Sequence, residues 1–354
     1  MTDTLLVTGA AGFIGANFVH YWMANYPEDH VVAYDALTYA GNRANLETLE
    51  QKPNFHFVHA DICDYDTVLN TLNEHQVNVL VHFAAESHVD RSITGPDAFI
   101  ETNIIGTHTL LKAAREVWLS GGQNRPHRFH HVSTDEVYGS LAADAPGFYE
   151  DQKYEPNSPY SASKAASDHL VRAYHHTYGL QVTTSNCSNN YGPFHFPEKL
   201  IPLCLTNILR GLPLPVYGDG SNIRDWLYVE DHCQGIEQVI KKGVVGETYN
   251  IGGNNEWRNL DIVELLCQRL DARFSADATL SQRYPDAPQA NGGSARDLIK
   301  FVEDRAGHDW RYAIDASRIS SELGYNPRES FETGIERTLD WFLANEDWWR
   351  PLLP

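Results

Sequence analysis

The chain has 354 residues and a formal net charge of -20, enough length for two lobes around a substantial core and a charge that excludes a nucleic-acid backbone or an anionic membrane as the main partner. Hydrophobic residues make up 42% and charged residues 21%, an ordinary globular balance, and no apolar run reaches membrane-spanning length. The five cysteines, Cys63, Cys187, Cys204, Cys233 and Cys267, are scattered and never spaced as CxxC, which predicts reduced thiols and a cytoplasmic protein. The N-terminus enters a strand pattern at once, with no signal-type region. Seventeen histidines include His130-His131 and His175-His176, yet none has a carboxylate or cysteine at metal-ligand spacing, so no metal is expected.

Thr4 to Thr8 reads as a short buried strand, followed directly by Gly9-Ala10-Ala11-Gly12-Phe13-Ile14-Gly15 and an amphipathic helix from about Ile14 to Asn25. Glycines between a strand and a helix form a dinucleotide fingerprint: a tight turn, close backbone approach to a diphosphate, and close helix packing. The helix N-terminus then stabilises the anion. Val31 to Asp35 supplies a second strand ending in a carboxylate, placed to accept ribose hydroxyls and repel a 2'-phosphate; this predicts NAD rather than NADP. Phe55 to Ala60 is a third strand, with Asp61-Ile62 at its end to meet an adenine ring. Val77 to Ala85 is a fourth, and its small terminal residues Ala84 and Ala85 would let the chain pass close to a cofactor. A helix from about Pro96 to Trp118 carries Thr102 and Asn103, and a loop at 121–126 leads on. Strands alternating with helices at this spacing predict an α/β fold with a doubly wound parallel sheet.

Phe129 to Ser133 is a β-branched, apolar run that stops in Thr134, Asp135 and Glu136. The carboxyl ends of such strands are where ligands bind. After an acidic, proline-containing loop at 140–157, Ser158 caps a helix that has Pro159 in its first turn, runs to Tyr178 and stops at Gly179. Tyr160 and Lys164 lie four apart on one face of it. A lysine near a tyrosine hydroxyl favours the phenolate, so the pair is a candidate general base. Tyr149 and Lys153 share the spacing but sit in the acidic loop, without helical periodicity or a cap. Gln181 to Ser185 is a further strand, and Thr248 to Ile251 reads as a strand of the same first lobe, so the second lobe is interleaved with the first. Its pieces begin at the Asn189-Asn190-Tyr191-Gly192-Pro193 run, and a tryptophan-rich tail (Trp341, Trp348, Trp349) completes it.

The fingerprint, Asp35, the Thr134-Asp135-Glu136 run and Tyr160-x-x-x-Lys164 in this order resemble the extended short-chain dehydrogenase/reductase family. More narrowly, the chain resembles the nucleotide-sugar 4,6-dehydratases that act on dTDP-glucose. The likeness runs through Ala85 to Ser92, Ser133 to Gly139, Tyr160 to Lys164, Asn186 to Pro193, Arg224 to Asp231 and Asp304 to Asp309. Departures are Ala10 in place of the usual glycine, Phe194 for tyrosine and Ala306 for proline. The resemblance implies a Rossmann NAD-binding domain over residues 1–187 and about 227–255, and a smaller nucleotide-sugar-binding domain over 188–226 and about 256–354. It implies conversion of dTDP-glucose to dTDP-4-keto-6-deoxyglucose by C4 oxidation, loss of water across C5 and C6, and hydride return to C6. Thr134, Asp135, Glu136, Tyr160 and Lys164 would be catalytic: Tyr160 takes the C4 hydroxyl proton, Thr134 bonds the same oxygen, Glu136 removes the C5 proton and neutral Asp135 protonates the leaving C6 hydroxyl.

NAD would be held by Gly9, Gly12, Phe13, Ile14, Gly15, Asp35, Leu37, Thr38, Asp61, Ile62, Ala84, Ala85, Ser87, Thr102, Tyr160 and Lys164. Substrate would meet Ser87, Thr134, Asn189, Lys199, Leu200, Pro215, Tyr217, Arg224, Asn259, Asp304 and His308. The helices near 96–118 and 158–178 would form the four-helix interface of a homodimer. Alternatives on the same machinery are another nucleotide-sugar 4,6-dehydratase or a 4-epimerase, disfavoured by the Asp135-Glu136 pair. A noncatalytic NAD-binding protein on this fold is the alternative of a different class.

Overall fold

A computed structural model of the protein describes residues 2–120, 125–304 and 308–353. Of the loop read at 121–126, residues 121–124 lie outside the described residues, as do 305–307 of the Asp304–Asp309 motif. The chain opens with β1 (Thr4–Thr8), α1 (Phe13–Asn25), β2 (His30–Asp35), β3 (Phe55–His59), α2 (Tyr65–Glu74) and β4 (Val79–His82). Two short helices, α3 (Val89–Thr94) and α4 (Asp97–Phe99), lead through a π-helical stretch, Ile100–Gly106, into α5 (Thr107–Leu119). Then come β5 (Arg128–Thr134), α6 (Pro159–Tyr178), β6 (Val182–Cys187), β7 (Asn189–Tyr191), α7 (Leu200–Leu209), β8 (Leu214–Tyr217) and β9 (Ile223–Tyr228). The remainder includes α8 (Val229–Lys242), β10 (Thr248–Ile251), β11 (Glu256–Arg258), α9 (Asn259–Ala276), α10 (Thr279–Arg283), β12 (Ile299–Val302), α11 (Ser317–Leu323) and α12 (Phe331–Ala344).

Seven strands form one sheet in the order β10-β6-β5-β4-β1-β2-β3, every neighbouring pair parallel. A parallel sheet covered on both faces needs apolar residues of both parities. Leu5, Val7, Val31 and Ala33 pack with Phe18 and Trp22 of α1 and with Ile236 and Val239 of α8 on one face. Leu6, Val32, Leu80 and Phe129 pack with Leu72, Leu110 and Val171 on the other. This is the doubly wound architecture expected. The strand order reverses between β1 and β4, where a crevice opens beyond the carboxyl ends.

The second region contains the three-stranded sheet β11-β9-β7 and the parallel pair β12-β8. Its core draws Ile201, Leu205 and Ile208 from α7, Ile262 and Leu266 from α9, and Phe331, Ile335 and Leu339 from α12. Ala316, Ile319, Leu323 and Tyr325 come from the late segment but pack into the core of the first sheet, against the α1 and α8 side. The chain therefore crosses between regions once more than a simple interleaving requires.

Two elements differ from the sequence reading. The strand read at Val77 to Ala85 is Val79–His82, because residues beyond His82 leave the sheet to line the crevice. The helix read from Pro96 to Trp118 is interrupted by its π-helical stretch. There Gly106 lies so close to β3's end that a Cβ would sit 2.4 Å from Ile62 Cδ1. Asn103 projects from the same stretch: its Oδ1 accepts from Glu86 N (2.8 Å), and its Nδ2 donates to Glu86 O (3.0 Å) and Ser163 Oγ (2.8 Å). Such bulges recur at functional sites; this one ties the 84–87 loop to α6.

Candidate active site

A cavity of about 510 Å³ runs from the β1–α1 turn, past the ends of β4 and β5, to the second region. At its first end, Gly9 has φ +67°, and a Cβ there would meet Ala84 N at 2.6 Å; a Cβ on Gly15 would meet Gly9 O at 2.1 Å. Gly12 caps α1 without any side-chain bond to the helix amides. The resulting cradle of backbone amides suits a diphosphate. Asp35 is buried, accepts from Ala11 N (2.9 Å) and Leu37 N (2.8 Å), and is pushed up by burial, with those two amides opposing. Carboxylate lone pairs remain for two ribose hydroxyls, so these residues fit an NAD-type dinucleotide.

β5 delivers the chemistry. Thr134, paired with Cys187 across the sheet, is its last residue, and Asp135–Tyr138 coil into a 3-10 turn. Thr134 Oγ1 accepts from Glu136 N (3.3 Å) and donates to Asp135 Oδ1 (3.4 Å), both long. Asp135 is 2% exposed, and its Oδ2 has no partner among the described residues. Burial first, then the Glu136 and Asp225 carboxylates, hold it well above the usual carboxylate range, with Arg224 opposing. Burial thus favours the protonated form of Asp135, the form that has an O–H to give. Glu136 is half-buried beside it. Two adjacent acids in unequal surroundings can divide the roles of acid and base.

α6 supplies Tyr160 and Lys164, both buried and both at the cavity. Its start is fixed by a capping box between Ser158 and Ser161, with Pro159 in the first turn and Gly179 closing the helix at φ +78°. Lys164 Nζ donates to Val132 O (2.8 Å), one strand position before Ser133. Burial pushes the Tyr160 phenol up, and the Glu136 carboxylate adds to this, while a hydrogen bond from Thr134 opposes. The phenolate expected of Tyr160 rests on Lys164 together with the nicotinamide charge, and burial of both side chains works against the lysine's share. Lys164 is itself pushed down by burial and gives one of its three N–H groups to a backbone carbonyl, and without a cofactor charge the raised phenol stays protonated.

Of the cofactor residues expected, Gly9, Gly12, Phe13, Ile14, Gly15, Asp35, Thr38, Asp61, Ile62, Ala84, Ala85, Ser87, Thr102, Tyr160 and Lys164 line the cavity. Leu37 does not: it packs against the first core, and its amide is already given to Asp35. At the far end Asn189, Lys199, Leu200, Pro215, Tyr217, Arg224, Asn259 and His308 line it. Arg224 is aimed by Ile223 O (2.7 Å) and Asp309 O (3.0 Å), with Tyr312 beneath its guanidinium at 4.4 Å. Asp304 stands behind rather than in the lining; its Oδ1 accepts from His308 Nδ1 (2.6 Å). Sequence reading missed Tyr39, His88, His195 and Glu198, which also line the cavity. His88 lies within the Ala85 to Ser92 stretch but has no role implied there, Tyr39 carries no motif, and the meeting of the two regions brings in His195 and Glu198. Among the described residues, no group of three or more His, Cys, Asp or Glu is arranged to hold a metal ion.

The family described as GDP-mannose 4,6 dehydratase matches residues 6–338. The chain is 52% identical over 359 residues to a dTDP-glucose 4,6-dehydratase of Escherichia coli, covering 99% of this chain and 96% of that one. It is 54% identical over 347 residues to one of Xanthomonas campestris pv. campestris, covering 98% and 94%. The crystal structure of DesIV, a dTDP-glucose 4,6-dehydratase from Streptomyces venezuelae with NAD bound, superposes with a TM-score of 0.87 at 47% identity, covering 99% of this chain and all of that one.

Proposed function

Because the chain belongs to the dTDP-glucose 4,6-dehydratase family, we propose that its own residues divide the work of an NAD-dependent hydro-lyase as follows. The reaction is the dehydration of dTDP-glucose to dTDP-4-keto-6-deoxyglucose. NAD, when bound, supplies a reversible hydride acceptor and a positive charge within the cavity. The amides around Gly12 to Ile14 bind its diphosphate, and Asp35 orients the adenosine ribose. Tyr160 Oη removes the proton from the sugar's C4 hydroxyl, and Thr134 Oγ1 bonds the same oxygen. Once C4 is a ketone the C5 hydrogen is acidic. Glu136 then takes the C5 proton while Asp135 gives its proton to the departing C6 hydroxyl. Lys164, fixed on Val132 O, orients the ribose next to the reacting ring, and Arg224 with Lys199 binds the sugar diphosphate, the arginine in a bidentate fork.

The observation that carries this reading is the buried Asp135, whose Oδ2 has no partner among the described residues and whose carboxyl is raised by burial, directly beside Glu136 and in one cavity with Tyr160. A 4-epimerase has no use for a proton donor at C6. Incubation of the purified protein with dTDP-glucose, without added NAD, is expected to give loss of one water by mass spectrometry and no net NADH. An unchanged mass with a galactose-configured product would instead establish the epimerase.

We also propose a cytoplasmic homodimer. Among the described residues no helix is long and apolar enough to cross a membrane, and all five cysteines are free. Ile93, Ile100 and Ile105 are 45%, 45% and 43% exposed along the helices next to α6, an apolar stripe that a second copy would cover. Sedimentation should give a dimer, and Ile105→Glu should shift it toward monomer; a monomeric wild type at micromolar concentration would refute the assembly.

A further inference from the structure

The segment from Gly192 to Lys199 leaves β7 and lies back over the first region, attached along its length. Asn17 Nδ2, from α1, donates to Pro193 O (2.9 Å). Phe194 sits in the left-handed region at φ +63°, an uncommon conformation for a bulky residue. Its ring stacks on His20 (5.7 Å) and meets Trp341 edge-on at 5.0 Å. Glu198 pairs with Arg91 (3.1 Å) and His88 (3.8 Å), and Lys199 Nζ donates to Ser87 O (3.2 Å). Strain of this kind is retained where surrounding contacts over-determine it, commonly at ligand clamps.

His195 is held at the centre of this segment. Its ring stacks on Phe13, the first residue of α1, at 4.3 Å and 13°. It is 7% exposed and lines the cavity. Its Nδ1 is buried and has no hydrogen-bond partner among the described residues. A buried ring nitrogen without a partner is unfavourable, and the amide cradle for a diphosphate begins one residue from Phe13. We propose that His195 is a cofactor-binding residue: from the second region it donates one N–H to the dinucleotide's diphosphate, so that residues 193–199 clasp the cofactor against α1. Burial, aided by Lys199, pushes its pKa down to about 3; the ring is neutral and keeps one N–H to donate. The clasp accounts for a cofactor that stays bound through turnover.

This rests on the NAD reading above, and the test separates the two. The probes are NAD, ADP-ribose and adenosine, with binding followed by calorimetry on the full-length protein stripped of nucleotide. His195→Phe preserves the stack on Phe13 and removes the donor. NAD and ADP-ribose are expected to bind about ten-fold more weakly to this variant, and adenosine, which lacks the diphosphate, as tightly as to wild type. His195→Gln, which returns an N–H donor, should recover most of the loss and serves as the comparison if the phenylalanine variant does not fold. Unchanged ADP-ribose affinity in His195→Phe, or equal weakening of adenosine, would overturn the proposal. So would glutamine binding no better than phenylalanine or, should phenylalanine not fold, far more weakly than wild type. A wild-type protein that binds none of the three would sink the NAD reading itself.

Discussion

The middle and the carboxyl end of β5 are both buried and both polar, yet they are built oppositely. Toward its middle, His131 Nε2 (3.0 Å) and Ser133 Oγ (2.9 Å) donate to the Asp168 carboxylate of α6, and Lys164 donates to Val132 O. His130 pairs with Thr183 and Ser185, and His82 with Thr8 and Thr107. In this layer His131 Nδ1 alone lacks a partner among the described residues. One residue further on, the bonds lengthen to 3.3 and 3.4 Å, and Asp135 Oδ2 has none. The saturated layer fixes α6 to β5 and so sets Tyr160 and Lys164 opposite Thr134, Asp135 and Glu136. The unsaturated end keeps its hydrogen-bonding capacity for a substrate. Rigidity and reactivity are thus separated by a single residue along one strand: bonds made within the fold on one side, capacity left for a ligand on the other.

Substitutions at the reactive end should change rate without changing stability, and Glu136→Gln is expected to do so most. Loss of the base for C5 should lower kcat by about 10³-fold or more, with C4 oxidation intact and reduced cofactor accumulating at 340 nm in a single turnover. Rapid turnover by this variant would dismiss the assigned role. Asp135→Asn should follow, with kcat down about 10²-fold. With Asp135 as the proposed acid, kcat should fall on the alkaline side as pH rises through its raised pKa; the asparagine variant should lose this limb, read from a kcat profile.

Substitutions in the saturated layer should do the reverse. Asp168→Ala leaves two buried donors unpaired and is expected to cost about 3 kcal/mol of unfolding free energy, measured in denaturant. Burial pushes Asp168 up to about 6 from an ordinary 3.8, with Lys164 opposing. A raised folded-state pKa means that the neutral form stabilises the fold. That stabilisation is present below the ordinary value and is lost as pH rises through about 6. The wild type's decline over that window should therefore flatten in the variant. Smallest is Ser133→Ala, about 1 kcal/mol, with kcat close to wild type; a large rate effect there would show the two parts of β5 to be one unit.

Much of this was readable from sequence because it is local. The glycine turn, the β-branched strands, the Ser158-Pro159 start and Gly179 stop of α6, and the abrupt end of β5 each follow from a few adjacent residues with strong conformational preferences. The order of Asp35, the Asp135-Glu136 pair, Tyr160 and Lys164 along the chain was enough to resemble a family and to imply its chemistry. What the sequence could not state depends on what comes between a side chain and water. Burial raised Asp135 above the usual carboxylate range and the Tyr160 phenol above its ordinary value, before any cofactor charge acts on them. A long-range contact took Lys164 to Val132, Leu37 packs against the core, and a π-helical stretch that ends at Gly106, close against Ile62, places Asn103. His195 entered the site only because the second region folds back across α1. Local preference writes the elements; the low dielectric and exclusive pairing of the packed interior assign the charges and the partners.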